Sequence, residues 1–239
     1  MTPQMRLIGL VALVALAVGI ALIVVGVRER GAVAAPAPTV SVSPSPRGEP
    51  VKIPDVARTE IWRSPQTASG EFDKADLQMP STVKTEKTNR FSVAVETSLN
   101  LDPNEVARTV HSILNDSRGW AGYGKNGFAL VNDESANLRV VLAAPDTVDH
   151  MCDAKKTKGL DNCLAADTVV INSDRWNYMV PSFNNLDEYR AWAVNHQVGR
   201  WLGQRVGYCT QEGQLAPVMV DQATKLGDCL PNAWPKLVD

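Results

Sequence analysis

The stretch VNHQVGRWLGQRVGYC, residues 194–209, closes a longer tract, LDEYRAWAVNHQVGRWLG at 186–203. That tract reads as one helix of about five turns. Ala191, Val194, Val198, Trp201 and Leu202 form an apolar stripe suited to packing on a core. A single His in an amphipathic helix is common in any protein. What the helix rests on therefore decides the fold.

Upstream, RFSVAVET at 90–97 alternates Phe91, Val93 and Val95 with polar neighbours, the period of a half-buried strand. LDPNEVARTVHSILND follows, with Asp102 placed as N-cap, Pro103 at the first helical position and Glu105 completing a capping box. Val106, Val110, Ile113 and Leu114 share one face of that helix. FALVN (128–132), LRVVLAA (138–144) and Val169–Asn172 read as further strands. The order is strand, helix, several strands, long helix and an irregular tail ending CLPNAWP (229–235). It predicts an α+β domain with helices packed on a mixed sheet.

The spacing within 194–209 also approaches H-E-x-x-H-x-x-G-x-x-H, in which two His at i and i+4 reach one zinc ion and Glu takes a proton from metal-bound water. His196 and Gly203 keep their places. Gln197 replaces the Glu and cannot accept a proton as a base does, a loss of about 10²–10⁴-fold in rate. Arg200 replaces the second His; a guanidinium stays protonated and offers no lone pair. Val206 replaces the third His and has no donor atom. The other histidines, His111 and His150, show no spacing that suggests convergence. Asp221 or Glu212 would have to complete any site with oxygen ligands. No G-x-S-x-G occurs, which counts against a serine hydrolase.

The remaining organisation is written in composition. The chain has 239 residues, 44% hydrophobic and 21% charged, with net charge −2. Such balance leaves no electrostatic footprint for nucleic acid. Residues 7–27 are apolar and uncharged over 21 positions, long enough to cross a bilayer core of about 30 Å. Residues 1–30 thus read as a single-pass membrane anchor; a cleaved signal segment is the alternative, since AVA at 32–34 offers a cleavage site. Flanking charges do not set the orientation. All four cysteines follow the span, and an even count beyond an export segment favours disulfides in an oxidising exterior. Residues 31–50, rich in Ala, Pro, Ser and Val, predict an extended spacer. Residues 51–88 predict a loosely ordered arm, and 89–239 the packed domain.

The helix tract, followed by a Cys, P-V-M and C-L-P-N-A-W-P, resembles an actinobacterial family of exported, zincin-like domains of unknown function. The likeness covers Phe91 to Pro235, including RGW at 118–120, Cys152 and Cys163, and VVIN at 169–172. It implies a metzincin-like fold, a twisted mixed sheet under two main helices, with Met219 in a Met-turn beneath the site. It further implies that His196, Gln197, Arg200, Val206 and Met219 are vestiges of a peptidase centre. It also implies bridges between Cys152 and Cys163 and between Cys209 and Cys229, although four cysteines allow three arrangements. The expected function is a membrane-anchored binding or structural module at the cell envelope, without resident metal or cofactor. Its partners would be the membrane, through 7–27, and a peptide or envelope ligand. A zinc metallopeptidase with unusual ligands is the alternative.

Overall fold

The computed structural model describes residues 52–236. The apolar run at 7–27 and the spacer at 31–50 lie outside them. Among the described residues no helix is long and apolar enough to cross a membrane.

Among the described residues the fold is α+β, with six strands in one mixed sheet: β1 (Phe72–Lys74), β2 (Lys87–Glu96), β3 (Asn126–Leu130), β4 (Leu138–Ala143), β5 (Cys163–Ala165) and β6 (Thr168–Asn172). The path runs β1-β2-β4-β6-β5, with β3 also paired to β2. The β2–β3, β2–β4 and β4–β6 pairs are parallel, while β1 and β5 are antiparallel to their neighbours. Five α-helices among the described residues accompany the sheet: α1 (Pro103–Leu114), α2 (Pro145–Met151), α3 (Ala154–Thr157), α4 (Ser173–Tyr178) and α5 (Leu186–Trp201).

Side-chain alternation builds two cores. Phe91, Val93, Val95, Val140, Leu142, Val169 and Ile171 join α1 and α5 in the main one. Val141, Ala143 and Val170, one residue out of phase, form a second with Val148 of α2. A strand buried on both faces reads as a continuous apolar run, which explains LRVVLAA and TVVI. The bridge between Cys152 and Cys163 closes this second face, its Cα atoms 6.3 Å apart. The other joins Cys209 to Cys229, 5.8 Å apart, in a small cluster with Ala216 and Val220. Both pairings match those implied by the resemblance. By chain entropy each stabilises by about 3 kcal/mol.

Asp102 caps α1 by accepting from the Asn104 amide at 2.8 Å. Residues 52–88, where the sequence predicts only a loose arm, are more firmly held. They supply β1, bury Ala57 and Ala75, and pack Ile53, Ile61, Leu77 and Met79 on the main core. Much of this anchoring is polar. Glu96, fully buried at the end of β2, accepts from the amides of Ser69 (2.6 Å), Gly70 (2.8 Å) and Ala144 (2.7 Å) and from the Thr147 hydroxyl (2.8 Å). Hydrophobic periodicity carries no trace of such a clamp.

Candidate functional site

Helix α5 is buried on more sides than its apolar stripe suggests, because Tyr189, Trp192, Asn195, Gln197 and Gly199 are also enclosed. Asn185 caps its start by accepting from Asp187 and Glu188 amides. Its end is set by Gly203, whose φ of +77° places it in the left-handed region where a side chain would be strained. Gly199 serves another purpose. A Cβ there would lie 2.5 Å from the Met219 sulfur and 2.7 Å from Trp120 Cζ2. Met219 therefore packs directly beneath the helix, in a turn closed by the Val220 amide donating to the Pro217 carbonyl at 2.9 Å.

Two side chains of α5 fasten that turn. Trp192 Nε1 donates to the Val218 carbonyl at 3.2 Å, and His196 Nδ1 does so at 3.0 Å. A carbonyl only accepts, so Nδ1 carries the proton and the neutral ring keeps its lone pair on Nε2. The other quoted motifs also brace α5. Trp120 of RGW donates to the Asn195 carbonyl at 2.8 Å, Arg118 stacks 3.9 Å over Trp234, and Asn195 donates to the Ala233 carbonyl.

A cleft of about 300 Å³ opens beside this face. Tyr189, Trp192, His196, Gln197 and Arg200 line it from α5, and Asp161, Asn162, Arg175, Met219, Asp221 and Lys225 complete the lining. Val206 stands at the rim, 66% exposed. A second hollow along β5 shares Asp161, Asn162 and Arg200 with the first. Arg200 is exposed, and its Nη1 donates to Gln197 Oε1 at 3.1 Å. Among the described residues it forms no ion pair with a carboxylate. The cleft thus gathers His196, Gln197, Arg200, Val206 and Met219.

His111 and His150 stand elsewhere. His111 is a satisfied core residue donating Nε2 to the Pro80 carbonyl at 2.9 Å, and His150 is exposed at the end of α2.

Three charged cleft residues carried no sequence signal: Arg175, Asp161 and Lys225. Tyr189 and Trp192 carried one. With His196 and Arg200 they recur at a helical period, a second stripe beside the apolar one. Asn172 of VVIN braces the cleft wall by donating to the Gly159 carbonyl at 2.9 Å, while its amide donates to Asn162 Oδ1 at 2.9 Å.

A zinc centre of the kind the resemblance implies needs donors at 196, 200 and 206. His196 Nε2 supplies one; Arg200 and Val206 supply none. Asp161 and Asp221 line the same cleft, but the Thr224 amide and hydroxyl engage Asp221, and Glu212 is exposed and outside the lining. No group of three or more His, Cys, Asp or Glu among the described residues is arranged to hold a metal. The donor set does not fit zinc.

Burial pushes the His196 pKa below its ordinary 6.5, and the Arg200 charge adds to this against the bond to Val218. The unfolded chain therefore binds a proton that the folded chain resists. Stability is expected to hold above pH 6.5 and to decline as pH falls through that value. Denaturant titrations at stepped pH should show this slope, reduced in His196→Asn.

A family model described as "Protein of unknown function (DUF3152)" matches residues 61–233. It begins within the arm, some thirty residues before the start of the resemblance at Phe91. No curated protein and no solved structure matches the chain.

Proposed function

The chain belongs to the DUF3152 family, and from its cleft we propose a membrane-tethered, extracytoplasmic binding module on a zincin-like scaffold that has lost metal binding and peptidase chemistry. The observation that carries this is Arg200. A permanent cation, without a carboxylate partner among the described residues, occupies the position where the motif requires a neutral imidazole. It repels a divalent ion and is available to a ligand.

The zincin-like identity draws support from the Met219 turn packed beneath His196 and Gly199, and from a short antiparallel edge strand beside the long helix. That strand, β5, ends the sheet path. An extended peptide could add to such an edge through main-chain hydrogen bonds, a mode that requires no metal. The anchor at 7–27 and the spacer at 31–50 would hold the cleft outside the membrane, where its disulfides persist.

Restoring two motif residues tests the loss of chemistry. The double variant Gln197→Glu, Arg200→His, supplied with zinc, is expected to leave a pool of unstructured peptides uncleaved, because Val206 still offers no third donor. Mass spectrometry of the pool reads the result. Efficient cleavage by the double variant would refute this account of the third ligand, and efficient cleavage by the unmodified chain would establish the metallopeptidase instead.

A further inference from the structure

We infer that the cleft recognises a carboxylate on its ligand, held by Arg200 at the mouth and drawn by Arg175 at the floor. This rests on the binding-module reading and names the chemistry it selects. Arg175 is 1% exposed, yet it lines the cleft. Its Nη2 donates to the Trp62 carbonyl, from the arm. Nε and Nη1 are buried and have no partner among the described residues. Among the described residues no carboxylate lies within ion-pair distance of this guanidinium. A buried cation is costly to leave uncompensated; Asp174 and Asp161 offset part of that cost from beyond ion-pair distance, and the guanidinium lends positive potential to the cleft it lines.

The charge pattern selects among anions. Arg175, Arg200 and Lys225 face Asp161 and Asp221, a small positive excess. Burial and the nearby Asp221 raise the Asp161 pKa, which weakens the negative side further. A singly charged, planar carboxylate suits this balance and matches the fork of the exposed Arg200 guanidinium. A phosphate dianion would meet the carboxylates of Asp161 and Asp221 in the same cleft.

Arg200 is exposed and holds only Gln197, so Arg200→Gln should fold normally. Three tetrapeptide pools serve as probes for the full-length chain in detergent micelles. One has free C-terminal carboxylates, one is the same pool amidated, and the third is amidated but carries one Glu. The free-acid or Glu pool is expected to be retained about ten-fold better than the plain amidated pool. Preference for the first assigns a chain terminus; preference for the Glu pool assigns a side chain. Arg200→Gln should abolish the preference, and Arg200→Lys, which keeps charge but loses the fork, should weaken it. Equal retention of all three pools would overturn the carboxylate assignment while leaving a binding module. Stronger retention of a phosphorylated amidated pool would overturn it likewise. Retention of none would sink both proposals.

Discussion

Glu96→Ala is expected to lower the unfolding free energy by about 4 kcal/mol. The carboxylate is fully buried, and neutral donors surround it: three backbone amides and a hydroxyl, all within 2.8 Å. Removing it strands all four in a place water reaches poorly, and each orphaned donor costs about 1–3 kcal/mol. Water entry and the relief of desolvating a carboxylate offset part of that sum. Glu96→Gln should cost less, about 2 kcal/mol, since one amide oxygen still accepts while the NH₂ group faces donors. Glu212→Ala, at an exposed position, should stay within about 0.5 kcal/mol. Denaturant unfolding followed by tryptophan fluorescence measures all three.

A local consequence should accompany the global one. Ser69 and Gly70 belong to the arm, and Ala144 and Thr147 to the β4–α2 junction, so Glu96 ties the two together. In Glu96→Gln, limited proteolysis is expected to cut first near residues 66–71. The same arm lends its Trp62 carbonyl to Arg175, and Ser64 bonds Asp174 of α4 through both amide and hydroxyl. Loosening the arm therefore reaches the cleft floor. A family match that begins at residue 61 is consistent with an arm that is part of the domain.

The sheet was legible because apolar spacing specifies it. The alternation in RFSVAVET marks one buried face of β2, and the unbroken LRVVLAA and TVVI mark strands covered on both sides. Helix α1 was legible from Asp102, Pro103 and its Val106–Val110–Ile113–Leu114 face, all four buried as expected. Shorter elements escaped. β1 and β5 span three residues each, too few to display a period, and α4 begins at Ser173 directly after a strand. The arm escaped for another reason: hydrogen bonds to residues distant in sequence, Glu96 and Asp174 among them, hold part of it.

The cleft was half legible. His196, Gln197, Arg200 and Val206 were identified by motif spacing and Met219 by the resemblance, and the structure places them along one cavity. Arg175 and Asp161 were not. Their meeting depends on α4, the 158–162 loop and the arm converging in space, and no local pattern encodes that. The left-handed Lys158 and Gly159 set the loop, and Arg63 packs so closely that any Cβ at 159 would lie 2.4 Å from its guanidinium. Such contacts link positions some ninety-five residues apart.

The second large effect concerns zinc, and it is all-or-none. Three-donor coordination leaves structural and catalytic zinc tightly bound through purification, whereas a lone imidazole gives weak, reversible contact. Here the one imidazole stands beside a guanidinium that cannot deprotonate. Full-length protein should be purified without chelator, equilibrated with zinc, desalted and analysed for metal by mass spectrometry. The expected content is far below one zinc per chain, unchanged in His196→Asn. One equivalent of retained zinc, lost on that substitution, would show that the cleft is a working metal centre and contradict the binding module proposed here.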